Sequence, residues 1–99
     1  MYLLDASAFG QCMNQVFDVD IGGTGVPMTL VGLQKLTPIR LKQFNLVREP
    51  FALMFKSEQQ VVFPQQIYPM RNSTLGNISI FIVPVGRDRE GVLYEAIFN

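Results

Sequence analysis

Over most of its length this chain alternates apolar and polar positions with a period of two, the rhythm of half-buried strands. Phe17, Val19 and Ile21 alternate with Asp18 and Asp20. GGTGVP (22–27) then has the composition of a turn, and MTLVGLQKL (28–36) predicts a second strand with a bulge at Gly32. In FALMFK (51–56), Phe51, Leu53 and Phe55 share one face and Ala52 and Met54 the other, so this reads as a central strand. Ile67–Arg71 is a short strand that Pro69 assigns to an edge. The last quarter, Leu75 to Asn99, predicts an antiparallel hairpin. Ile78, Ile80 and Ile82 line one face of its first strand, with Phe81 and Val83 on the other. Val92, Tyr94, Ala96 and Phe98 oppose Leu93, Glu95 and Ile97 in its second.

The connections are less regular. Residues 3–9 fit one or two helical turns, with Gly10 free to take a left-handed stop. Thr37–Val47, interrupted by Pro38, reads as a loop or irregular edge. Residues 57–66 read as a polar loop with an apolar clasp at Val61–Phe63, and Asn72–Asn77 as the turn into the hairpin. Together these elements predict a mainly β fold: one domain over 1–99, a small antiparallel sandwich or partly closed barrel of about six strands, with a short N-terminal helix. No internal repeat or linker is visible.

Composition changes the picture in one respect. Charged residues make up 16% of the 99-residue chain, against about 25% in ordinary domains. A small domain has the most surface per unit volume and needs more charge, not less. The shortfall predicts apolar surface covered by another chain, the alternative being a well-packed monomer with a Gln, Asn, Ser and Thr surface. Net charge is zero, which argues against a general nucleic-acid or anionic-membrane binder. Its distribution is uneven. Asp5, Asp18 and Asp20 are the only charges before residue 35, whereas Lys35, Arg40, Lys42, Arg48, Lys56 and Arg71 outnumber Glu49 and Glu58 up to residue 71. Opposite signs in separate segments offer copies a way to dock head to tail, although a solvated surface shows such imbalance too. Cys12 is alone, so no intrachain disulfide or cysteine metal site is expected, only a small packing residue. The start lacks a basic region before a sustained apolar run, and no stretch is long enough to span a bilayer. The expectation is synthesis in the cytoplasm, with incorporation into a particle compatible with it.

Little catalytic chemistry is present. Histidine is absent, which removes the commonest general base and any imidazole metal ligand. Asp18 and Asp20 share a strand face and could hold a hard cation, and DVDIGG echoes the opening of a calcium loop. The twelfth position of that loop is Thr29 rather than Glu, which favours a solvated polar face. Gly22–Gly25 lacks the Gly-Lys-Ser/Thr of a phosphate-binding loop and reads as a hairpin connection. Asn72-Ser73-Thr74 and Asn77-Ile78-Ser79 match the glycosylation pattern, which means little without a secretory signal. Lys56 and Arg71 beside Phe55 and Tyr68 raise a single-strand nucleic-acid platform, but the rings follow core periodicity. GRDREG (86–91) reads as an exposed tip with local pairing; in a functional version it would enter a neighbouring subunit. Glu95 interrupts an apolar strand and calls for a partner, with Arg48 or Arg71 as candidates.

Several segments resemble a family of small bacterial and phage-associated domains without assigned activity. The resemblance rests on Glu49-Pro50-Phe51-Ala52-Leu53-Met54-Phe55, Pro64-Gln65-Gln66-Ile67-Tyr68, Leu75-Gly76 through Phe81-Ile82-Val83-Pro84-Val85-Gly86, and Gly91-Val92-Leu93-Tyr94-Glu95-Ala96-Ile97-Phe98-Asn99. It covers residues 48–99 well and the first half loosely. Gln66 stands where the pattern favours Gly, so the turn before Tyr68 must be built differently if that Gly supplies a positive φ. The resemblance implies an accessory of tail-collar or fibre-type phage proteins, and no catalytic residues. The expected function is therefore a non-enzymatic structural or assembly component of a multi-subunit particle, a phage virion or phage-like tail, acting through contacts with identical or other particle proteins. The alternative is a monomeric β module holding a peptide, glycan or small ligand. An enzyme relying on Asp18 and Asp20 is the weakest reading. No catalytic, cofactor-binding or metal residue, no cofactor, and no nucleic-acid or membrane partner is assigned.

Overall fold

The computed structural model describes residues 4–36 and 50–98. The expected loop Thr37–Val47 lies outside the described residues, as do Arg48 and Glu49. A one-turn helix, α1 (Ala6–Gly10), precedes six strands: β1 (Val16–Ile21), β2 (Thr24–Lys35), β3 (Phe51–Ser57), β4 (Gln66–Asn72), β5 (Gly76–Asp88) and β6 (Gly91–Phe98). They close into an antiparallel barrel in the order β1-β2-β3-β6-β5-β4. Two three-stranded meanders thus join along two seams. The β3–β6 seam runs the length of β3, from Phe51–Phe98 to Ser57–Val92. The β1–β4 seam holds only Asp18–Arg71 and Val19–Met70.

The alternation read from the sequence sets the inside of the barrel. Phe17 and Val19, Val26, Met28 and Leu30, Phe51, Leu53 and Phe55, Tyr68 and Met70, Ile80 and Ile82, and Val92, Tyr94 and Ala96 are all buried. Phe9 of α1 fills one end of the barrel, its ring 5.3 Å from Phe98, 5.9 Å from Phe51 and 6.5 Å from Phe17. Asp5 fixes that helix by accepting the Ala8 N–H at 2.9 Å. Gly10 does not provide a left-handed stop. It stays helical, and Asn14 takes the positive φ, 67°, as the chain turns into β1.

Three expected turns prove shorter, for one reason: exposed outward-facing rows tolerate Gly, Pro and charge while the backbone stays paired. The β1–β2 turn is Gly22-Gly23 alone, at φ 61° and 86°, and Thr24–Pro27 belong to β2 opposite β1. The β5–β6 turn is Arg89-Glu90, because β5 remains paired through Asp88–Gly91. The β4–β5 turn is Ser73–Leu75. The expected bulge in β2 falls between Leu30 and Gly32, and β5 carries a second between Pro84 and Gly86. Pro69 does not place β4 at an edge. The strand pairs β5 along its length and β1 at Arg71 and Met70, and the β1 ladder lapses where Pro69 offers no N–H. Of the Val61–Phe63 clasp only Phe63 turns inward; Val61 and Val62 are exposed. Gln66 is the first residue of β4, opposite Ile82, with no positive φ.

Candidate functional site

The short β1–β4 seam opens a groove on the outer wall of the barrel. Its strands lay side chains out in rows: Asp18 sits opposite Arg71, which sits opposite Asn77; Asp20 sits opposite Gly25; Pro69 sits opposite Ser79. These residues border a cavity of about 500 Å³. Asp20 is held by the turn below it, one carboxylate oxygen accepting the Gly23 N–H at 2.9 Å. Asp18 lies over Gly25 so closely that a Cβ there would stand 2.7 Å from its Oδ1. Among the described residues Arg71 makes no ion pair with Asp18; its Nε donates to Asn77 Oδ1 at 3.4 Å. Among the described residues, no third His, Cys, Asp or Glu joins Asp18 and Asp20 in a group that could hold a metal. The groove offers two carboxylates and one guanidinium to solvent, an arrangement suited to receiving charged side chains.

The other residues singled out by sequence fall elsewhere. Phe55 and Tyr68 are inside the barrel, where no base can stack on them. Lys56 faces outward and pairs with Glu90 at 3.4 Å. Glu95 is half-buried on the outer face of β6, between Met54 and Val83. Arg71 does not pair with it, because β5 intervenes between their strands; Arg48 lies outside the described residues. Cys12 is fully buried, and desolvation pushes its thiol pKa up. Burial likewise raises Tyr68, with the neighbouring Tyr94 adding to it. Burial raises Tyr94 too, partly offset by the hydrogen bond its hydroxyl accepts from the Phe63 N–H at 3.0 Å.

Asn72 is the residue whose role the sequence concealed. It reads there as the start of a glycosylation tripeptide, but its side chain is buried and fully engaged. Its Oδ1 accepts the Thr74 and Leu75 N–H groups at 2.9 and 3.0 Å. Its Nδ2 donates to the Val16 carbonyl at 3.1 Å and to Gln15 Oε1 at 3.2 Å. Cys12 Sγ approaches the same Oδ1 at 3.6 Å. Asn72 thereby locks the β4–β5 turn to the start of β1, next to the groove. Asn77, by contrast, is exposed.

A family model described as a domain of unknown function, DUF6916, matches residues 4–98. The chain belongs to the DUF6916 family. No curated protein and no solved structure matches it. Membership accords with the resemblance to an uncharacterised small domain and brings no residue roles to the groove. No helix among the described residues of this DUF6916 chain is long and apolar enough to cross a membrane.

Proposed function

We propose that this DUF6916 domain is a non-enzymatic assembly component of a multi-subunit particle. The reading is carried by the outer face of the β4–β5 hairpin. Ile67 and Phe81 oppose each other there at 65% and 50% exposure, and Ile97 stands on the outer face of β6 at 56%. Large side chains at such exposure, on a surface poor in charge, favour cover by another subunit. Full burial of a side chain of this size contributes about 1.5–3 kcal/mol. Because the barrel closes, the contact runs through side chains of the outer wall rather than through added strands. The likeness of the second half of the chain to phage-associated domains supports a virion, tail or collar accessory in particular.

The test is solution mass. Light scattering across a concentration series should show wild type above the monomer mass, and Phe81→Asp with Ile67→Asp shifted toward monomer while remaining folded. Wild type that stays a strict monomer at high concentration, and joins no particle, would defeat the proposal.

A further inference from the structure

The assembly reading leaves two charged features without partners. In the groove, Asp18 makes no hydrogen bond or ion pair among the described residues, and Asp20 spends one carboxylate oxygen on its turn. At the β5–β6 tip, Arg87 and Arg89 are exposed, and neither guanidinium is bonded to another described residue. The tip is nonetheless held firmly. Gln60 Nε2 donates to the carbonyls of Asp88 and Arg89 at 3.1 and 3.0 Å. Glu90 pairs with Lys56, and its N–H meets Asp88 Oδ1 at 2.7 Å. A rigid tip loses little entropy on docking.

We infer that the Arg87–Glu90 tip of one copy docks in the Asp18–Asp20–Arg71 groove of another. This rests on the assembly reading and names one contact within it. The two surfaces match in sign and period. Asp18 and Asp20 are two residues apart on one strand face, and Arg87 and Arg89 are two apart at the tip; Asp88 beside them carries the sign that Arg71 seeks. The cavity, about 500 Å³, is in the range that holds whole ligands, with room for a pair of long side chains. Ser79, on the groove wall, and Asp88, at the tip, lie nine residues apart on β5, about 30 Å at the usual strand rise. A copy cannot seat its own tip in its own groove. The contact is therefore head to tail, and repeats into a ring or a fibre.

Charge reversal tests it. Sedimentation velocity is run on wild type, on a groove variant (Asp18→Lys with Asp20→Lys), and on a tip variant (Arg87→Glu with Arg89→Glu). Asp18→Lys alone serves as a groove variant that leaves the Gly23 hydrogen bond intact. Each variant, folded by circular dichroism, should self-associate at least about tenfold more weakly, the equivalent of about 1.4 kcal/mol. An equimolar mixture of groove and tip variants should reassociate, as should a chain carrying both reversals. Raising salt should weaken wild-type association. Folded variants that associate like wild type, or a mixture that fails to reassociate, overturn the inference. If Phe81→Asp dissociates an oligomer that charge reversal leaves intact, the tip contact falls while the assembly reading stands; a strictly monomeric wild type removes both.

Discussion

Gly91 is the glycine at which an added Cβ meets the closest contact, and replacing it with alanine measures how tightly β3 and β6 approach. Its φ is +138°, a conformation that L side chains rarely adopt. A Cβ there would stand 1.8 Å from the Ser57 carbonyl oxygen, 2.9 Å from its carbon and 3.0 Å from Glu58 Cα. All three are backbone atoms, so no side chain can swing aside. Ser57 is also paired with Val92, so relief requires separating the strands at the end of their seam. The backbone conformation alone costs about 1–3 kcal/mol, and forced displacement in a packed region adds about 1–3 kcal/mol. A loss near 3 kcal/mol is a large part of the roughly 5–15 kcal/mol available to a domain, and corresponds to a fall in Tm of about 12–24 °C at this size. Urea and thermal unfolding of Gly91→Ala should show this loss. Gly10→Ala is the control: no atom lies within 4 Å of its Cβ and the residue is helical, so it should gain about 0.5–1 kcal/mol. If Gly91→Ala unfolds within about 1 kcal/mol of wild type, the close approach is not real and the reasoning fails.

Asn72→Ala strips two backbone N–H groups and the Val16 carbonyl of their buried partner; chemical denaturation should show a loss of about 3 kcal/mol, and a loss under about 1 kcal/mol would deny Asn72 its role as the lock. The raised pKa values of Cys12, Tyr68 and Tyr94 mean that the folded state holds these protons more tightly than the unfolded chain does. Their stabilisation is complete below the unfolded values, about 8.5 for the thiol and 10 for the phenols, and is lost as pH rises above them. The urea midpoint should therefore hold level up to about pH 8.5 and fall beyond it, with a shallower fall in Cys12→Ala; a midpoint that rises with pH would reverse the sign of the argument. Cys12 should resist a thiol reagent in the native protein and react once urea opens the barrel, whereas prompt native labelling would contradict its burial.

The strands are legible because inward and outward positions alternate along them, outside the bulges of β2 and β5. Turn lengths were not, because Thr24–Pro27 and Gly86–Asp88 have loop composition but continue paired strands. Pro69 signals an edge by its local effect, whereas the partners of β4 depend on how the barrel closes. The groove was half legible. Alternation put Asp18 and Asp20 on one face, but Arg71, Asn77 and Ser79 join them only through the β1–β4 seam, which connects distant parts of the chain. Asn72 was invisible for the same reason: its partners Gln15 and Val16 lie more than fifty residues upstream.

The ring order explains why the groove falls where it does. Exchanging the meander β1-β2-β3 with β4-β5-β6 leaves the order of the ring unchanged, so the topology has a two-fold character. β2 and β5 correspond under that exchange. Each pairs one neighbour with its first half and another with its second, and each bulges just before a glycine, with Val31 and Val85 exposed at the extra position. The exchange carries each of the two seams onto itself, so nothing in it makes them alike, and they differ. β3 and β6 zip together along their length, with Phe51 and Phe98 stacked at 4.8 Å at one end. β1 and β4 manage two pairs before Pro69 and the Gly22-Gly23 turn stop them. Closing that seam further would need an N–H that proline lacks, so the polar rows on either side stay open to solvent. The short seam therefore yields the charged groove to which we assign a partner, while the zipped seam ends beside the rigid tip that complements it.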